Sequence, residues 1–508
     1  MSEPVSQAVE TPHKREAYTP PKGASSEHQL VLGGRSLAYR AEADWIVLRK
    51  KERPVAEVFH VAYMRSGPGV GERPVTFVFN GGPGAASAYL HVGALGPRRV
   101  AFDMQGGVLP PPARLVDNTE SWLDFTDLVF VDPIGTGLSR AIEDDTPAGK
   151  PGGDGKEPEK TDEKEFYQLG RDLDSLGEFI QRFLSRHKRW SSPVIVAGES
   201  YGGFRVGKLA RRLQEGFGVG LNAAILISPA LELAFLTPSD YDILHWSDAF
   251  PSMAAAAFHH GRGTANPRDA SLDKVIADAE AFATTELVTY LTQGDGMPEE
   301  RRRQIRARIA AYLGLVEERI ESCSGRISPG LFCRELLRET RLVCGLYDAS
   351  LTAVDPFPDR DLREGPDPTL FSIERVFTGG INTHIRADLG LETERDYRLL
   401  SMDVNRAWKI DTQQHAFDRP AGATDDLRYA MALNPHMRVM IVHGLYDLVT
   451  PYFTSKRIVD HMKLTDAQRA MLSFETFRGG HMFYTWQASR IAFTKAARDL
   501  TAHAVGTL

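Results

Sequence analysis

The chain has 508 residues, 42% hydrophobic and 25% charged, with a formal net charge of −7. That is the balance of an ordinary globular protein with room for more than one folding unit, and nothing in it asks for a nucleic-acid partner. Three cysteines, Cys323, Cys333 and Cys344, are too few for a disulfide framework and match no zinc-ligand spacing. They read as buried free thiols in a reducing compartment, with a single bridge in an exported form as the other arrangement.

Residues 1–26 are polar and proline-rich and are expected to form a disordered tail. They contain no apolar core of a secretory signal, and no segment reaches about 18 apolar residues, so no membrane span is expected. As it stands the chain is expected to be cytoplasmic, an exported form requiring a start further upstream. From His28 to Tyr63 the pattern suits short strands. Pro74–Phe79, PVTFVF, predicts a buried strand ending in Asn80-Gly81-Gly82-Pro83-Gly84. Asp127–Asp132 predicts another. Residues 143–164 hold glycine, proline and charge without periodicity and read as a flexible surface loop. Leu169, Leu173, Leu176, Ile180 and Phe183 then recur at helical spacing.

Val194-Ile195-Val196-Ala197 is a short apolar run suited to a buried parallel strand. It leads into Gly198-Glu199-Ser200-Tyr201-Gly202, after which Val206, Leu209 and Leu213 fall on one helical face. Strand, tight turn and helix around Gly-x-Ser-x-Gly describe a nucleophile elbow, in which the turn lifts the serine hydroxyl above the sheet edge. Asn222–Ser228 predicts the next buried strand. From 232 to 425 the patterns are mostly helical with proline-rich connections. Met437–His443 and Ala470–Phe477 resume the strand pattern, and a final helix runs from Ala488 to about Ala504.

This alternation predicts an α/β-hydrolase fold: a mostly parallel central sheet with helices on both faces and a large, mainly helical cap insertion. The expected organisation is a tail at 1–26, a first core part at 27–231, the cap at 232–425 and a second core part at 426–508.

A serine hydroxyl needs a base, and the base needs a carboxylate to orient it. In this fold the chain order is serine, acid, histidine. Asp447 stands just past the first late strand, and His481 follows Gly479-Gly480 after the last. Taken singly they read equally well as a helix-capping aspartate and a surface-loop histidine. Their order and their places at strand ends join them to Ser200. His443, nearer the strand and before Asp447, is ranked lower. The glycine-rich loop at 80–84 lacks the lysine of a phosphate loop, and the backbone N–H groups of Gly82 and Tyr201 are the expected oxyanion donors.

With these motifs in order, the chain resembles the serine carboxypeptidases, in a version that looks like their bacterial branch. Ser121-Trp122 and the Asp132-Pro133 turn with Gly135, Gly137 and Ser139 join the resemblance. It implies an exopeptidase acting through an acyl-enzyme, with Asn80, Gly81 and Glu199 at the substrate's terminal carboxylate. Glu199 must then be protonated to accept a second carboxylate, which favours acidic pH. The chain departs from the family at Val78, where a tryptophan is usual, and at Ala94, where a second glutamate is. The resemblance implies no cofactor and no metal, and a peptide or small acyl substrate as partner, with no nucleic acid and no membrane; a homodimer is left open. The same triad could serve an esterase or an acyltransferase, and a non-catalytic binding protein on this scaffold is the remote alternative.

Overall fold

The computed structural model describes residues 18–67, 72–142, 162–236, 239–360, 367–410 and 420–506. Nine main strands run β1 (Ala24–Leu32), β2 (Arg35–Lys50), β3 (Arg53–Arg65), β4 (Val75–Phe79), β5 (Asp127–Val131), β6 (Val194–Glu199), β7 (Ala223–Ile227), β8 (Arg438–Gly444) and β9 (Leu472–Phe477). They lie in the order β1-β2-β3-β5-β4-β6-β7-β8-β9, and the short strand Arg140–Ala141 also pairs with β3. The first three strands and the β3–β5 pair are antiparallel; every pair from β5 to β9 is parallel.

The central parallel strands β4, β6 and β7 are buried along their whole length because both faces are covered. Within β4, β6 and β7 the side chains divide by parity. Val78, Ile195, Ala197, Ile225 and Ile227 join one core, whereas Phe77, Phe79, Val196 and Leu226 join the other. The second core is closed by α1 (Leu169–Arg186) and α2 (Tyr201–Phe217), and the first by the C-terminal helix Gln487–Ala504. This is the α/β-hydrolase arrangement.

The sequence is corrected in three places. β1 begins at Ala24, so the end of the expected tail is an edge strand that hydrogen-bonds along β2. The expected short strands between His28 and Tyr63 include two long ones, β2 of 16 residues and β3 of 13. Arg35, Lys50 and Arg53 mark their ends, but the alternation continues through interior charges such as Glu42 and Glu57 that break the apolar pattern. Cys323 is half-buried rather than buried, while Cys333 and Cys344 are buried, and no disulfide joins the three. Residues 143–161 of the expected surface loop lie outside the described residues; Glu163–Phe166 form a 3₁₀ turn.

The insertion between β7 and β8 is mainly helical, with one short antiparallel ladder, Leu342–Cys344 against Thr352–Val354. It is anchored at several places, two of them close to the site. Helix Pro368–Thr383 sends Ile373, Phe377 and Ile381 into the first core. Helix Ile243–His259 packs Phe250 and Met253 in a third cluster with Leu445, Tyr446 and Tyr452, the residues around Asp447. The insertion is therefore braced against the acid-bearing loop. No described helix is long and apolar enough to cross a membrane.

Candidate active site

Ser200 sits between β6 and α2 with φ 61° and ψ −123°, a conformation that side-chain-bearing residues rarely adopt. Its neighbours hold it there. Ser200 N–H donates to the Ile227 carbonyl at 2.9 Å, and its own carbonyl accepts from Gly203 and Phe204 in the first turn of α2. The flanking glycines are obligatory for lack of space. A Cβ on Gly198 would lie 2.2 Å from the Gly202 carbonyl oxygen, and one on Gly202 would lie 2.7 Å from that of Phe79.

The loop after β4 folds back onto this elbow. A Cβ on Gly81 would sit 2.5 Å from the Tyr201 nitrogen and 2.7 Å from the Glu199 oxygen, and Gly82 takes φ +97°. Arg205, buried in α2, clamps the loop by donating to the Asn80 carbonyl at 2.9 Å while paired with Asp172 of α1 at 2.7 Å. Tyr201 is the first residue of α2, so no carbonyl within the helix takes its N–H. Gly82 and Tyr201 thus stand on the two backbone segments that meet beside Ser200. Gly81→Ala is expected to part those segments and to lower kcat by about 10²–10³, the loss of an oxyanion donor. Steady-state kinetics on any cleaved ester checks this, and a wild-type rate would remove the loop from the site.

Asp447 and His481 come together from the loops after β8 and β9. His481 Nδ1 lies 2.7 Å from Asp447 Oδ2. The other oxygen, Oδ1, accepts the backbone N–H groups of Val449 and Thr450, at 2.8 and 3.0 Å. One oxygen closes the turn of the acid loop and the other orients the histidine; helix Tyr452–Asp460 follows Pro451 and takes no side-chain cap, so Asp447 does not cap it. Thr450 Oγ1 also donates to Asp447 Oδ2 at 2.7 Å. His481 N–H donates to the Tyr347 carbonyl of the insertion at 2.5 Å, and its carbonyl accepts from Ser228 Oγ at 2.8 Å. Burial works against a charged His481, but Asp447 and then Glu199 outweigh it and raise the imidazole above its ordinary value.

Glu199 is buried beside this pair. Asn80 Nδ2 donates to its Oε2, as does Tyr484 OH at 3.1 Å. Its Oε1 has no hydrogen-bond partner. Burial pushes its carboxyl up to about 7, against the opposing pull of His481, Tyr484 and Asn80. Ser200, His481, Glu199, Asn80, Gly81 and Gly82 all line one small cavity, which Met482 and Tyr89 also border. His443 does not reach it. It is buried against Phe474 with both ring nitrogens unpartnered.

Several residues of the site carry no motif. Tyr484 and Thr450 each lie three positions past a predicted site residue, but only the turn geometry aims them inward. Asp348 Oδ2 accepts Gly480 N–H at 2.9 Å and so braces the histidine loop; burial pushes its carboxyl up to about 6. Tyr347, Leu370 and Leu400 line the cavity from the insertion, whose course no local signal predicts.

A family profile described as serine carboxypeptidase matches residues 42–225. The sequence likeness to serine carboxypeptidases lies in that segment. Serine carboxypeptidase-like 5 of Arabidopsis thaliana is 28% identical over 183 residues, 36% of this chain and 36% of that one. Serine carboxypeptidase-like 8 of the same plant is 30% identical over 160 residues, 31% of this chain and 32% of that one. The chain thus matches about a third of the length of these curated relatives. Among solved structures, a prohormone-processing carboxypeptidase from Saccharomyces cerevisiae aligns over 92% of each chain with a TM-score of 0.52 and 16% identity, which is likeness of fold. The profile match to the serine carboxypeptidases takes in the glycine-rich loop, the Asp132 turn and the elbow. Asp447 and His481 fall beyond it; they bond to each other, and His481 lines the same cavity as Ser200.

Proposed function

We propose that the protein is a serine-type carboxypeptidase that removes C-terminal residues from peptides. The observation that carries this reading is the buried Glu199 carboxyl, poised near neutrality and with one oxygen unpartnered, on a residue that lines the cavity of Ser200 and His481. A serine hydrolase with no interest in a carboxylate has no use for a protonatable acid there. Protonated, Glu199 donates to one oxygen of a peptide's terminal carboxylate; ionised, it repels it. Val78 and Ala94 are buried in apolar surroundings and supply no polar group. Tyr484 takes up the second hydrogen bond to Glu199 in their stead.

In this reading Ser200 Oγ attacks the carbonyl of the last peptide bond while His481 takes its proton. Asp447 holds the imidazole by Nδ1–H and stabilises the imidazolium. The N–H groups of Gly82 and Tyr201 bind the tetrahedral oxyanion. His481 then protonates the leaving amine, the C-terminal residue departs, and water attacks the acyl-Ser200 ester by the same steps in reverse. The triad chemistry would equally cleave or transfer an ester; what sets the peptide reading apart is Glu199.

A blocked dipeptide with a free C-terminal carboxylate, compared at pH 5 with its C-terminal amide, tests the proposal. Charge-assisted hydrogen bonds of about 1.5–3 kcal/mol predict a preference for the acid of about 10–100-fold. Equal rates on the two, with product followed by mass spectrometry, would assign the triad to esters or acyl transfer instead.

A further inference from the structure

The sequence reading assigned no metal. On the α1 side of the sheet, away from the catalytic cavity, three side chains nonetheless converge, each with at least one buried polar atom that makes no hydrogen bond. β2 and β3 pair with Asp44 opposite His60 and Glu42 opposite Ala62. Glu42 is two positions from Asp44 and so stands on the same face as His60, a diagonal neighbour across the ladder. His187 follows the last residue of α1 and stacks on Phe183, which also meets the edge of His60. One ligand-competent atom from each of Glu42, His60 and His187 falls within 4.8 Å of the other two.

The unmet valences are specific. His60 is wholly buried; the backbone of Asp44 and Val58 lies nearby, but neither ring nitrogen makes a hydrogen bond of normal geometry. Glu42 Oε1 is also buried without a partner, while its Oε2 is held by Arg40 Nη2 at 2.8 Å, so the carboxylate is oriented with one oxygen spare. His187 Nε2 is unpartnered by hydrogen bonding and lies 3.4 Å from that spare oxygen. Natural interiors seldom leave several adjacent polar atoms unsatisfied.

We infer that Glu42, His60 and His187 form a binding site for a divalent zinc-type cation. Two imidazoles and a carboxylate are a borderline set that suits zinc, with water in the fourth position. Ligand atoms at tetrahedral corners about 2.0–2.1 Å from the ion stand roughly 3.4 Å apart, the His187–Glu42 spacing found here. Arg40 and Arg186 bring positive charge to the neighbourhood; Arg40 is spent on Glu42 and Arg186 on Asp44. His187, 13% exposed, is the edge by which an ion enters. The ion would pin two strands to the end of α1, and none of its ligands lines the catalytic cavity.

The full chain, stripped by dialysis against a chelator, is titrated with Zn²⁺ in calorimetric competition with a chelator of known affinity, and separately with Co²⁺ followed by visible absorption. The expected result is one tight site per chain, a tetrahedral Co²⁺ spectrum displaced by Zn²⁺, and a higher Tm with Zn²⁺ bound. His187→Ala and Glu42→Gln should each weaken Zn²⁺ by about 100-fold or more, since even partners that only support a ligand are worth about 10–100-fold. Far-ultraviolet circular dichroism and an unchanged hydrolytic rate certify that these variants are folded. Ser200→Ala should bind Zn²⁺ as the wild type does. No tight site in the wild type, or a site that survives in both His187→Ala and Glu42→Gln, overturns the inference whatever the fate of the peptidase reading.

Discussion

Ser200→Ala is expected to lower kcat by about 10⁴–10⁶ while leaving the protein folded, because a triad without its nucleophile retains only the oxyanion site and substrate binding. Alanine keeps the Cβ and so keeps the same backbone constraint. Labelling by a fluorophosphonate, which needs an activated serine, should vanish with it. Retained turnover and labelling in Ser200→Ala would show that the elbow serine is not the nucleophile. A second variant separates chemistry from strain. Ser200 occupies φ 61° and ψ −123°, where a Cβ is costly and glycine is at ease. Ser200→Gly should be as inactive as Ser200→Ala yet more stable than it, by about 1–3 kcal/mol, the usual size of such strain. Urea denaturation of the two variants reads the difference directly. An elbow glycine variant no more stable than the alanine one would mean that the turn stores no strain.

Glu199→Gln is expected to change the pH behaviour of both activity and stability. In the folded wild type the carboxyl sits at about 7 against an ordinary value of 4.5. Its raised value means that the stability it contributes is fully present below about 4.5 and is lost as pH rises through about 7. A shift of that size corresponds to roughly 3 kcal/mol at pH 8. Gln cannot ionise, and its carbonyl can still accept from Asn80 and Tyr484. The Glu199→Gln protein should therefore gain on the wild type in denaturation as pH rises from 5 to 8. A difference that stays constant with pH would place Glu199's ionisation elsewhere.

The kinetic consequence runs in parallel. For a free-acid peptide, wild-type kcat/KM should fall about tenfold per pH unit above about 7 as Glu199 ionises. The C-terminal amide should not show that fall, and neither should Glu199→Gln acting on the acid. On the low-pH side both enzymes should lose activity as His481, raised by Asp447, takes up a proton. If the alkaline fall also appeared with the amide and in Glu199→Gln, it would belong to another group, and the carboxylate-reading role would fail.

The parts of the site that were legible in the sequence are those whose chemistry is local. Gly198 and Gly202 flank Ser200 because the elbow closes on itself within a few residues, and that closure writes glycine into the chain. The strands β4 to β7 were legible because burial on both faces demands continuous apolar runs. The order Ser200, Asp447, His481 was legible because each loop leaves the same edge of one parallel sheet. β2 and β3 were harder to read, since polar groups such as Glu42, Glu57 and His60 are buried within them and interrupt the alternation.

The sequence by itself pointed to the fold class and to Ser200, Asp447 and His481 as one set, and its resemblance implied a shared place for Asn80 and Glu199. Only the tertiary structure decided that Glu199 carries a spare oxygen and is poised near neutrality, since desolvation depends on everything packed around it. It also decided that Tyr347, Leu370 and Leu400 of the insertion border the nucleophile, and that Glu42, His60 and His187 meet at one point. These residues are separated by long stretches of chain. Their juxtaposition follows from strand register, helix docking and the burial of two cores, and no local pattern encodes it.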